Sequence, residues 1–191
     1  MVENTFDKDD GKWCSYFYGG GIDKDCFVPV VREKTGGVNN SGYIWADDTM
    51  WNIDEPDDSI LAFVFYRSWT GNGSINLMDR KVSLYLRGDN LKLYGAECYF
   101  WVFTPYTRWH YIHEPLRIQN FRWDSTPDYI HLTNDESLWY NSWCEEGYRR
   151  KTIEFALRMV TSYGISFRGY SQEVKGMLSM DEFKIEAQQE I

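Results

Sequence analysis

Lys81-Val-Ser-Leu-Tyr-Leu-Arg-Gly-Asp-Asn-Leu-Lys-Leu-Tyr-Gly-Ala-Glu-Cys-Tyr-Phe-Trp-Val-Phe103 is the stretch whose reading decides the fold. Side chains alternate at period two on either side of Gly88-Asp89-Asn90, which reads as two strands joined by a turn and a short connecting segment. Val82, Leu84 and Leu86 share one face of the first strand, and Cys98, Phe100 and Val102 share one face of the second; both sets read as core. The other faces carry Tyr85, Arg87, Glu97, Tyr99, Trp101 and Phe103, rings beside a guanidinium fork where a solvated face would be polar. An open surface of that kind stacks and hydrogen-bonds a flat polar ligand such as a sugar ring. The competing reading is that a second sheet or a loop covers it and the rings are core.

Outward from that stretch the chain is a series of short extended runs separated by Gly, Asn, Asp and Pro. Residues 13–18 open with an aromatic-rich strand, and 27–32 read as a strand whose Pro29 is tolerable only at a sheet edge. Residues 42–46 form another, and the apolar run 59–69 reads as a strand buried on both faces. Residues 107–112, 116–118, 129–132, 165–168 and 176–185 complete the set, while 135–143 read as one helical turn or an irregular loop. Residues 152–160 are the one helix candidate, with Thr152 as cap and Ile153, Phe155, Ala156, Leu157 and Val160 on one side. The expectation is an all-β antiparallel sandwich with one short helix, a single domain over 1–191 with its core in 5–186 and a frayed tail at 187–191.

Composition narrows the function. With 29 acids against 20 bases and a formal charge of -9, the chain repels a phosphate backbone, so nucleic acid is disfavoured as a partner. Aromatic residues reach 18%, which suits surfaces that bind by stacking and Trp-studded sandwiches alike. Cys14, Cys26, Cys98 and Cys144 are scattered without a Cys-x-x-Cys pair, so a thiolate zinc site has no support. Cys14 with Cys26 is the most local disulfide choice; free thiols are the alternative, and Cys98 on an apolar strand face fits that better. No apolar run reaches membrane-span length, and Met-Val-Glu-Asn-Thr-Phe-Asp is not a secretory leader, so the chain reads as intracellular unless a leader has been removed.

Near the end of the chain, Gly176-Met-Leu-Ser-Met-Asp181-Glu-Phe-Lys-Ile185 resembles the closing strand of galactose-binding-domain-like jelly rolls, the fold of several carbohydrate-binding-module families and of the complex I intermediate-associated family. Thr5-Phe6-Asp7 followed by Trp13 is similar to their first strand, and Asn40-Ser41-Gly42 to their second-strand entry. The resemblance implies a jelly roll and a structural calcium ion held by Asp181, by the carbonyl of Gly42 and by Thr5 or Asp7, hard oxygens that would pin the chain ends together. The alternative for Asp181 is a turn cap or an arginine pair. The resemblance also implies a glycan or polysaccharide partner, bound across an aromatic sheet or in end loops. Tyr85, Arg87, Glu97, Tyr99, Trp101 and Phe103 would form the first kind of site, joined by Arg168 from a neighbouring strand. The competing reading of Arg87 and Arg168 is that they are solvated or paired with acids.

An enzyme would need more. Glycosidases use two carboxylates, and Glu97 has no partner that the sequence assigns. Arg108-Trp109-His110-Tyr111 supplies the residue types of a polysaccharide lyase, but His110 and His113 lie three apart and fall on opposite strand faces, which disfavours a two-His metal site. The readings are therefore a non-catalytic carbohydrate-binding module, an assembly domain of the same fold that uses its aromatic face as an interface, and a lyase or glycosidase on a jelly roll.

Overall fold

The computed structural model describes residues 1–15, 28–51, 53–54, 58–67 and 70–187. In chain order the strands are β1 (Val2–Asn4), β2 (Cys14–Ser15), β3 (Val28–Pro29), β4 (Val31–Glu33), β5 (Tyr43–Asp47), β6 (Ile53–Asp54), β7 (Ser59–Tyr66) and β8 (Arg80–Lys92). There follow β9 (Glu97–Thr104), β10 (Thr107–Tyr111), β11 (Gln119–Asn120), β12 (Asp128–Leu132), β13 (Trp139–Cys144), β14 (Ser162–Arg168) and β15 (Lys175–Ala187). The helix α1 (Ile153–Arg158) precedes β14. Two sheets result, one running β11-β8-β15-β5-β4 with β1 and β12 attached, the other β13-β10-β9-β14-β7-β2-β3 with β6 attached. Every pairing is antiparallel except the short β11–β8 contact. The architecture is the expected jelly-roll sandwich with one short helix, and no helix among the described residues is long and apolar enough to cross a membrane.

The opening stretch does not fold as a paired hairpin. β8 continues straight through Gly88, Asp89 and Asn90, because β15 pairs along it from Lys175 opposite Lys92 to Ala187 opposite Arg80. A 13-residue neighbour satisfies backbone donors and acceptors that a turn at Gly88 would leave open. The chain turns later, at Tyr94 and Gly95, both with positive φ. β8 and β9 therefore belong to different sheets, and their outward side chains look away from each other on opposite sides of the sandwich.

The inward faces are as the alternation predicts. Val82, Leu84 and Leu86 meet Cys98, Phe100 and Val102 in one core, all at most 2% exposed. Its centre is aromatic: the Trp13 ring lies 5.5 Å from Phe65, 5.7 Å from Tyr163 and 4.9 Å from Phe183, tying β7 and β14 of one sheet to β15 of the other. β7 is buried on both faces, as its apolar run requires. Pro29 sits in β3 at the end of its sheet, where no ladder hydrogen bond is asked of it.

Smaller expectations resolve in the same way. Thr152 caps α1 by accepting the Phe155 amide at 3.2 Å; Phe155 is exposed, while Ile153, Ala156 and Leu157 form the buried side of the helix and Val160, just beyond it, is buried as expected. Residues 136–138 make a single helical turn, after which 139–144 are strand β13. Cys14, Cys98 and Cys144 are free thiols, and Cys26 lies outside the described residues.

Candidate functional site

The outward face of β9 is laid out by its neighbours. Glu97 pairs with Arg168, Tyr99 with Ser166, Trp101 with Gly164 and Phe103 with Ser162 on β14; on the other side Trp101 pairs with His110 of β10, which pairs with Tyr140 of β13. The row beside Trp101 is thus large on one flank and small on the other. The indole fills the small side: it lies over Gly164, where a Cβ would meet its Cζ2 at 2.8 Å, and packs with Leu61, Val64 and Cys14 in a second apolar cluster. At 2% exposure Trp101 is core, which overturns the expectation of an open indole platform. Phe103 is half-buried and tilts against Trp143 at 5.8 Å.

Toward the Glu97 end the same face becomes polar and opens. His110 is fully buried, with Nδ1 2.8 Å from Ser142 Oγ and Nε2 2.7 Å from Ser166 Oγ. Burial first, then the charges of Arg108 and Arg168, hold its pKa well below the ordinary value, so the ring is neutral with one donor and one acceptor nitrogen. Above it, the Tyr99 phenol donates to the Glu97 carboxylate; burial and that bond push Tyr99 up to about 12. Tyr140 is 48% exposed.

Arg168 and Tyr140 close this end. Their strands are separated by β9 and β10, a span of about 14 Å at ordinary strand spacing. The two side chains nevertheless meet, with the guanidinium carbon 4.6 Å from the phenol ring centre. Among the described residues no hydrogen bond or ion pair meets the Arg168 guanidinium, and its Nη1 is a buried donor without an acceptor. Its cross-strand partner Glu97 is turned to Tyr99 instead.

Tyr85 and Arg87 are on the outward face of the other sheet. Arg87 is fully committed there. Its Nε donates to Asp89 at 3.0 Å, Nη1 to the Gly36 carbonyl at 3.2 Å and Nη2 to the Tyr43 hydroxyl at 3.2 Å, while Tyr43 and Trp123 each lie 4.8 Å from its guanidinium carbon. It acts as a staple between two loops. Tyr85 is half-buried in the floor of a groove on that face.

The residues expected to hold calcium come together, but through donors. Asp181 is fully buried, and its Oδ2 accepts the Val38 amide and the Ser41 hydroxyl, both at 2.7 Å, while Oδ1 accepts the Glu182 amide at 2.7 Å. Burial raises its pKa to about 6 against the lowering effect of those bonds. Asp7 meets Gly42 through the Gly42 amide at 3.0 Å, not through its carbonyl, and that bond leads the causes, with one to Thr5, that hold Asp7 below the usual carboxylate value. Arg32 donates to the Phe6 carbonyl at 2.5 Å and to that of Asp7. Calcium asks for six to eight oxygens around one point. Here the oxygens face N–H and O–H groups and a guanidinium, a set that does not fit the ion.

Tyr140, Ser142 and Tyr129 are the site-forming residues that sequence reasoning missed. Tyr129 stands opposite Ile130 in a plain alternation, so the signal was present; Tyr140 lay in a segment without a clear period.

No protein-family model matches the chain, and no curated protein matches it. Among solved structures it is similar to the solution structure of CtCBM11, a carbohydrate-binding module, with 15% identity, a TM-score of 0.48, and coverage of 94% of this chain and 90% of that one.

Proposed function

We propose that the protein is a non-catalytic carbohydrate-binding domain that holds a glycan at the open end of the β9 face, between Tyr140, Tyr99, Glu97 and Arg168. The observation that carries this reading is Arg168, whose guanidinium has no hydrogen bond or ion pair among the described residues. In a chain with 29 acids and 20 bases, a half-buried guanidinium without a carboxylate among the described residues is out of place, since the ring contact with Tyr140 offsets only part of the cost of desolvating it. A ligand that brings oxygen acceptors would pair with the guanidinium nitrogens other than the buried Nη1. The planar fork suits vicinal hydroxyls or a carboxylate, the exposed Tyr140 ring offers a face to sugar C–H groups, and Glu97 accepts from a hydroxyl.

Catalysis is less well supported by the same residues. Glu97 is the only carboxylate carried by β9, β10, β13 and β14, so these strands supply no pair for glycoside hydrolysis. Of the Tyr or His bases open to a lyase, His110 is sealed with both nitrogens engaged.

Affinity electrophoresis through gels containing neutral and uronic-acid polysaccharides tests the reading. Retardation of the wild type that weakens in both Arg168→Ala and Tyr140→Ala, with both variants melting like the wild type, is the expected result. Equal mobility with every polysaccharide would refute it.

A further inference from the structure

The outward face of the seven-stranded sheet carries a groove of about 380 Å³, within the range of small-ligand sites. Ser83 and Tyr85 of β8 and Lys184 of β15 make its floor, Tyr129 of β12 stands up on one side, and the turn at Val38 and Asn39 forms the other wall. That wall is fixed from beneath, because buried Asp181 accepts the Val38 amide. Tyr129 is 56% exposed, and the Lys81 ammonium sits 4.9 Å from its ring centre, so two tyrosine rings stand at two depths.

The lining is charge-balanced. Lys81 pairs with Glu186 at 3.8 Å, and Lys184 with Glu182 at 2.6 Å and Glu3 at 3.2 Å. Both lysines of the lining are thus held by glutamates, Glu3 from just outside it included, so the groove offers no uncompensated cation to an anionic ligand. What the groove does offer is donors and acceptors in alternation beside aromatic faces. Its floor is backbone already paired in the β12–β8–β15 ladder, so an extended peptide finds no free strand edge inside it. Neutral polyhydroxylated chains match this chemistry, since their hydroxyls both donate and accept while their ring C–H faces lie on tyrosine.

We propose that this groove is a second carbohydrate site, taking a neutral oligosaccharide, on the side of the sandwich opposite Arg168. It does not depend on the first site, and a domain with both would grip polysaccharide from two faces.

Titration of ¹⁵N-labelled wild type with neutral hexasaccharides of β-1,4-linked glucose, xylose and mannose tests it, with oligogalacturonate and a lysine-rich peptide as charged comparisons. At least one neutral sugar should shift the amides of Ser83, Tyr85, Tyr129 and Lys184, and Tyr129→Ala should weaken that binding at least about tenfold. Arg168→Ala should leave it unchanged. The proposal is overturned if no neutral sugar moves those amides, if only a charged probe does, or if Tyr129→Ala, folded by its melting curve, binds as the wild type does.

Discussion

His110 Nε2 lies 2.7 Å from Ser166 Oγ, so a side chain on β10 reaches across β9 to one on β14. With Ser142 on β13 at its other nitrogen, the imidazole ties together three strands of the outer face, β13, β10 and β14, across β9. Its folded pKa is well below 6.5, whereas the unfolded chain takes up a proton near 6.5. The stabilisation is therefore complete above pH 6.5 and is lost as pH falls below it. Melting temperature should drop on acidification from about pH 7 to about pH 5, and the slope should flatten in His110→Gln. Ser166→Ala should cost about 1–3 kcal/mol at neutral pH by stranding a buried ring nitrogen.

Asp181 titrates in the opposite sense. Burial raises its folded pKa to about 6 from 3.8, so the folded chain holds this proton more tightly than the unfolded one. Its contribution is present below pH 3.8 and is lost as pH rises through about 6. Asp181→Asn should remove that component, so the stability difference between variant and wild type shifts in the variant's favour as pH rises from 4 to 6. The variant should still be less stable overall at low pH, since an amide offers one oxygen where the Val38, Ser41 and Glu182 donors use two. Melts across that range, read beside those of His110→Gln, separate the two groups.

Trp101 and Gly164 form a packing pair. Trp101→Ala should cost about 3–5 kcal/mol in urea unfolding, as for a buried aromatic, and Gly164→Ala about 1–3 kcal/mol because its Cβ would press on the indole and on the Phe63 carbonyl. An unchanged urea midpoint in Trp101→Ala would show that the indole is not core.

Chain-end closure is assigned to hydrogen bonds and Arg32. Melting temperature should be the same with millimolar calcium and with chelator, while Arg32→Ala should lower it, because the Phe6 carbonyl loses its donor. A rise of several degrees with calcium would mean that Asp181 and Asp7 trade their N–H partners for the ion.

Period-two alternation made most of the fold legible. It sorted Leu84 from Tyr85 and Phe100 from Trp101 correctly, because each strand has one face toward the shared core. It carries no information on which strands are neighbours. Gly88-Asp89-Asn90 has turn composition, but a long partner strand overrides it, and with that the sheet assignment of Tyr85 and Arg87 changes. Nor does alternation tell an open outer face from a covered one. That depends on what the next strands carry, here the Ser162, Gly164 and Ser166 gaps into which Trp101 falls. Arg168 is legible from its strand; its lack of a carboxylate partner among the described residues, which makes it informative, follows from Glu97 bonding to Tyr99 and is visible only in three dimensions.

The most direct test is site-resolved. Polysaccharide fragments that retard the protein should be titrated into ¹⁵N-labelled wild type and Arg168→Ala, following the amides of Tyr99, Tyr140, Ser166 and Arg168 itself where present. Saturable shifts at these positions in the wild type, weakened at least about tenfold in Arg168→Ala while its melting temperature stays put, are the predicted result. Shifts that never reach these amides, or an Arg168→Ala protein that binds as tightly there as the wild type, would contradict the account.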